Sequence, residues 1–134
     1  MTDIDTQQEL LKLSQRLLDS IDNQDWDTYA THCDSTLTAF EPEAVGNLVT
    51  GMDFHDFYFK RERRGQAPQS TISSPHVRMM GETAVISYIR LVQLVDSEGR
   101  MSTRAFEETR VWQRHNNTWK HVHFHRSSAG EKQL

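Results

Sequence analysis

Apolar positions at the start of the chain repeat with the period of an α-helix. Thr6 and Glu9 have the spacing of a capping box, and the leucine stripe that follows predicts an amphipathic helix over about residues 7–21. After a polar break, the aromatic residues from Trp26 to about Cys33 share one face and predict a short second helix. An aromatic-rich run over 52–59 has the same spacing and predicts a third.

In the second half of the chain the period changes to two, which is typical of β-strands. Four long strands are predicted, at 69–80, 84–95, 101–114 and 118–126, after a short one at 37–40. Helices followed by a run of strands favour an α+β fold. We expect a curled antiparallel sheet wrapped around the long N-terminal helix and closed by the two shorter helices, which makes a cone with a pocket.

Each of the last three strands carries one arginine on its apolar face. These are Arg90, Arg110 and Arg126. A guanidinium cannot shed its charge, so a cluster on a buried face needs carboxylate partners or a bound anion. Glu108 shares that face and can satisfy one of them. Three cations against one carboxylate favour an anion site, and a structural ion-pair network built on Glu108 is the alternative.

The predicted turns also give a register for these strands. Turn formers at 96–99 and 115–117 place Arg90 and Arg126 on either side of Phe106, with Arg110 farther along the middle strand. Arg110 lies next to Glu108 along the same face. We therefore expect Arg110 to be the arginine most engaged by the protein itself, and Arg90 and Arg126 to be freer to meet a ligand.

Length and composition predict one domain over 1–134, with its core at about 7–128 and a short polar tail at 129–134. The net charge of −4 argues against nucleic-acid binding as the main activity. Cys33 is the single cysteine, which excludes an internal disulfide framework. The polar N-terminus has neither a signal region nor a membrane span, so a cytoplasmic protein without membrane contact is expected.

Several segments in order resemble the association, or hub, domain of calcium/calmodulin-dependent protein kinase II, a member of the nuclear-transport-factor-2-like superfamily. They are Leu37–Ala44, Gly46–Leu48, Gly51–His55, Phe57–Phe59, Ser87–Arg90, Glu107–Trp112 and Val122–Ser127. The resemblance runs over about 7–128. It implies a homo-oligomerisation module whose dimers assemble into two stacked rings of about twelve to fourteen subunits, with a pocket in the cone for small carboxylates.

By the same resemblance, the pocket arginines of the family fall on Arg90, Arg110 and Arg126, and the pocket histidine on His55. Arg63 stands where the family has a tryptophan beside the pocket. The kinase domain and calmodulin-binding segment that precede the hub in those kinases are absent from this sequence. We therefore expect a free-standing hub with no kinase activity of its own and no cofactor, and the hub of a separate kinase is a candidate partner.

An enzyme is the second hypothesis, because cones of this superfamily also serve isomerases and dehydratases. Asp53, His55, Tyr58 or Glu108 would act as acid or base beside an arginine-anchored substrate.

A metal-binding protein is the third hypothesis. His121, His123 and His125 alternate along one predicted strand, a geometry that suits zinc or copper. Because Val122 and Phe124 occupy the other face, these histidines are expected outside the cone, where exposed or interface histidines are the alternative.

Overall fold

The structure, a computed structural model, describes residues 2–63 and 65–130. Its elements are α1 (Asp3–Asp22), α2 (Trp26–His32), β1 (Cys33–Phe40), a 3-10 turn (Pro42–Ala44), β2 (Val49–Thr50), α3 (Asp53–Phe59), β3 (Gln69–Met80), β4 (Thr83–Val95), β5 (Met101–His115) and β6 (Thr118–Ser128). The α+β class is confirmed. Residues 131–134 of the predicted tail lie outside the described residues.

Helix α1 begins one turn earlier than predicted. Thr2 is its N-cap, and Thr2 and Asp5 form the reciprocal capping box. The predicted box at Thr6 and Glu9 is wrong, because Thr6 lies inside the helix and its hydroxyl donates to the Thr2 carbonyl at 3.1 Å. The spacing of threonine and acid occurs twice in succession, and nothing between the two prevents the helix from extending to the first.

The six strands form one sheet in the order β2-β1-β6-β5-β4-β3. Neighbouring strands are antiparallel, as predicted, except that β1 runs parallel to β6. Hairpins join β3, β4, β5 and β6 in order along the chain. Strand β1 instead follows α2, and it pairs with β6, which is far away in the sequence. No turn near β1 could have indicated this pairing.

Helix α1 packs across the inner face of the sheet. Leu10 and Leu17 are fully buried there with Ile86 and Trp112. The Trp112 indole donates to the Ser14 hydroxyl at 3.2 Å, so the polar atoms in this contact are satisfied. The C-terminal end of α1 thereby reaches β4 at the cone's interior.

A β-bulge in β6 decides which side chains enter the cone. Trp112 pairs with His121 and Val111 with His123, which leaves Val122 as the extra residue. The predicted pairing of Arg90 with Phe106 is found, but Arg126 lies opposite Glu108, not beside Phe106. The predicted register for Arg126 is wrong by two residues. The turn is Asn116-Asn117, with His115 paired to Thr118, which shifts the pairing by one residue, and the bulge shifts it by one more.

Within residues 2–63 and 65–130, no helix combines the length and the apolar character needed to cross a membrane.

Candidate functional site

A cavity of about 260 Å³ opens between the inner face of the sheet, the α1–α2 turn, α2, α3 and the segment that follows β1. Its lining comprises Ile21, Gln24, Tyr29, Glu41, Glu43, His55, Tyr58, Phe59, Arg90, Arg110, Phe124 and Arg126. The structure thus brings the three predicted arginines and His55 to one cavity, together with Tyr58. The helices form one wall of the cavity, and the inward side chains of the strands form the opposite wall.

Glu108 lies beneath the cavity and ties two of the arginines together. It accepts hydrogen bonds from Arg90 Nη1 at 3.2 Å, from Arg110 Nη2 at 3.1 Å and from the Tyr88 hydroxyl at 2.6 Å. Burial opposes its charge, but Arg110 and Arg90 hold the pKa of Glu108 at about 2. A carboxylate held ionised in this way is a structural counter-ion and cannot serve as a general acid or base near neutral pH.

Arg90 is as engaged as Arg110. It forms a second ion pair with Asp22 at 3.1 Å, and its Nε donates to the Ser70 hydroxyl at 3.0 Å. The expectation that Arg90 stays freer for a ligand is therefore wrong. Asp22 ends α1, and a strand pattern cannot reveal a partner on a helix about 70 residues away.

Arg110 is buried at the base of the cavity. Its Nε donates to the Tyr88 hydroxyl at 2.7 Å, its Nη1 faces His121 Nε2 at 3.4 Å, and its guanidinium lies over the Phe124 ring at 4.6 Å. With the bond to Glu108, three of its five N–H groups have partners within the described part of the chain. Two remain on a side chain that lines the cavity.

Arg126 sits at the cavity mouth and is the most accessible of the three. Its guanidinium lies over Phe106 and forms an ion pair with Glu43, just after β1. Glu41 lines the same region, and burial together with Glu43 raises the pKa of Glu41 to about 7. Three guanidiniums thus face four carboxyl groups, because Asp22, Glu41 and Glu43 join Glu108. The predicted excess of cations is wrong.

His55 lines the cavity and has one ring nitrogen without a partner in the described part of the chain. Its Nδ1 lies 3.5 Å from the Tyr29 hydroxyl, and its buried Nε2 has no partner among the described residues. Burial, reinforced by Arg110, lowers the pKa of His55 to about 4, so the ring is neutral at pH 7. A tyrosine hydroxyl that donates to Nδ1 leaves the proton on Nε2, where it can be donated to a bound acceptor.

His121 lies beside the site and not outside the cone, where the sequence pattern placed it. It is fully buried between Arg110 and Cys33, whose Sγ lies 3.5 Å from His121 Nδ1. His123 instead bonds Thr38 Oγ1 at 2.7 Å on the outer side, and His125 is exposed. The predicted placement of all three on one outer face is wrong, and residues 2–63 and 65–130 contain no cluster suited to a metal ion. Burial lowers the pKa of His121 well below 6.5.

The remaining acid and base candidates do not assemble around one reacting position. Tyr58 lines the cavity, but Asp53 is exposed at the start of α3 and does not. Since Glu108 is locked in ion pairs, the enzyme hypothesis is not favoured.

Arg63 donates a hydrogen bond to the Asp22 carbonyl at the end of α1. Gln24, in the turn between α1 and α2, donates hydrogen bonds to the carbonyls of Phe59 and Arg61. The α1–α2 turn is therefore fastened to the segment after α3, which fixes that wall of the cavity.

The curled sheet around α1 is a nuclear-transport-factor-2-like fold. A protein of this superfamily from Salmonella enterica superposes with a TM-score of 0.80 over 99% of this chain and 97% of its own, at 18% identity, which shows the common fold alone.

Sequence comparison narrows the class to a family. The family described as the calcium/calmodulin dependent protein kinase II association domain matches residues 6–130. The Drosophila melanogaster calcium/calmodulin-dependent protein kinase type II alpha chain is 47% identical over 127 residues, 92% of this chain and 24% of that protein. The Chlamydomonas reinhardtii hub homology domain is 45% identical, with a TM-score of 0.86 over 93% of this chain and 99% of the other. This chain belongs to the association domain family, and it spans about a quarter of the length of the curated relatives.

Proposed function

We propose that this chain is a self-assembling hub, a closed homo-oligomeric ring, and that each subunit offers its cavity to a small carboxylate. Membership of the association domain family over residues 6–130 is the observation that carries the first part. Exposed large apolar side chains are consistent with buried contacts between copies; they are Ile4, Phe40, Val45, Leu48, Phe57, Met80 and Met101.

The mass of the native assembly tests the hub directly. Light scattering at micromolar concentration should give a ring of about twelve to fourteen subunits, since closed symmetric assemblies leave no interface unpaired. A stable dimer would contradict the ring, and a monomer would contradict self-association altogether. The hub of a separate kinase would enter the same ring, and native masses of a mixture would reveal such co-assembly as intermediate species.

The carboxylate proposal rests on hydrogen-bond donors carried by residues that line the cavity. Arg110 has two N–H groups without partners in the described residues, and the His55 Nε2 position is buried and unpaired. Leaving such groups unsatisfied is costly, so a ligand oxygen that accepts from both is stabilising. Arg126 at the mouth offers a further charged contact. A monocarboxylate or a short dicarboxylate matches these donors and the volume of about 260 Å³.

Thermal unfolding with and without butyrate or succinate tests this proposal. A ligand at about one hundred times its dissociation constant stabilises the folded protein by about 2.7 kcal/mol. The shift in Tm should be lost in Arg126→Ala and kept in Arg114→Ala, whose arginine pairs with Glu82 at a separate surface. A shift that survives unchanged in Arg126→Ala would place the ligand elsewhere.

A further inference from the structure

Arg126, which we assign to the ligand, already has a carboxylate partner. Glu43 sits in the 3-10 turn Pro42–Ala44, and its carboxylate pairs with the Arg126 guanidinium at the cavity mouth. Both side chains line the cavity, and both are partly accessible, at 17% for Arg126 and 36% for Glu43. The pair therefore occupies the position where a carboxylate from solvent would first meet an arginine.

The charges around the cavity leave little capacity for one more anion. Arg90 and Arg110 are balanced by Asp22 and Glu108, and Arg126 is balanced by Glu43. A ligand carboxylate that simply added to this set would face Glu41 and Glu43, while each of the three lining arginines already has a carboxylate partner. The raised pKa of Glu41, to which Glu43 contributes, is consistent with a region already rich in negative charge.

We propose that Glu43 is a built-in competitor for the carboxylate site, and that a ligand binds by replacing the Glu43 carboxylate on Arg126. This inference rests on the proposed carboxylate function. The exchange keeps the charge of the cavity constant, because one carboxylate leaves the guanidinium as another arrives. Glu43 is already accessible to solvent and can be hydrated once displaced, whereas Glu108 is fully buried and cannot exchange in this way.

Competition predicts that removing the Glu43 charge strengthens binding. Calorimetric titration of the assembled protein with butyrate at pH 8 compares wild type with Glu43→Gln, Glu41→Gln and Glu82→Gln. At that pH Glu41 is ionised as well, so the first two variants remove one negative charge each from the same cavity. Glu82 forms an exposed pair with Arg114 and controls for the loss of a comparable ion pair elsewhere.

We expect Glu43→Gln to bind butyrate on the order of tenfold more tightly than wild type. Glu41→Gln should gain less, because Glu41 influences Arg126 through charge and makes no hydrogen bond to it among the described residues. Glu82→Gln should equal wild type. The competition would be overturned if Glu43→Gln showed no gain in affinity, if Glu41→Gln gained as much or more, or if Glu82→Gln gained as much. In each of these cases, butyrate binding by the wild-type protein would still support the carboxylate pocket. Absence of butyrate binding in all four proteins would overturn the pocket and the competition with it.

Discussion

Replacing Glu108 with glutamine is expected to lower the free energy of unfolding by about 3 to 5 kcal/mol. Glutamine keeps the shape of the side chain, but it leaves Arg90 and Arg110 buried without the carboxylate that they share. It also exchanges the charged acceptor of the Tyr88 hydroxyl for a weaker one. Urea denaturation at one fixed protein concentration measures the change, since an oligomer's apparent stability depends on concentration.

Three variants calibrate this effect. Glu82→Gln breaks an exposed pair with Arg114, which solvent screens, so it should lower the stability far less than Glu108→Gln does. Arg126→Met should also lower the free energy of unfolding only slightly, because Arg126 and Glu43 keep contact with solvent. Arg90→Met should lower it by an amount closer to that of Glu108→Gln, because Arg90 is buried in its ion pairs. If Glu108→Gln and Glu82→Gln unfold at the same urea concentration, Glu108 is not the counter-ion that holds the cone's interior.

Because of the Glu108 carboxylate, the free energy of unfolding should fall steeply at acidic pH. The folded-state pKa of Glu108 is about 2, below its ordinary value of 4.5. A depressed pKa contributes stability that is fully present above 4.5 and is lost as the pH falls from 4.5 towards 2. A shift of this size corresponds to about 3 kcal/mol.

Other buried groups act mainly at higher pH and oppose one another. His55, with a pKa of about 4, and His121 are neutral when folded, so they cost stability as the pH falls below 6.5. Glu41, with a pKa of about 7, and Asp22 have raised values and therefore add stability over the same fall. The two histidines and the two raised carboxyl groups thus oppose one another above pH 4.5, and the loss of stability below pH 4.5 is the part assigned to Glu108. Urea midpoints across pH for wild type and Glu108→Gln check this, and a variant with the same drop as wild type would exclude Glu108 as its source.

Local patterns predicted the hairpins well because each is encoded by neighbouring residues. Gln69–Met80 was predicted at its observed bounds, and Asn116 and Asn117 both adopt positive φ in the turn that joins β5 to β6. The bulge at Val122 was not predictable, because no residue type there marks it. The turn, one residue shorter than predicted, places His121 opposite Trp112 in the core, and the unpaired residue adds the second step by which Arg126 moves in register.

The sequence by itself determined the α+β class, the succession of strands, the inward face of Arg90, Arg110 and Arg126, and the resemblance to the association domain family. Periods of 2 and 3.6 residues and short turns are local properties, and they can be read without knowing what packs against them. Only the tertiary structure decided which arginine is accessible. The ion partners are Asp22 on α1 for Arg90 and Glu43 after β1 for Arg126, each more than 60 residues away in the chain. Charge balance in a buried site depends on every element that surrounds it, so a count along one strand face could not give it.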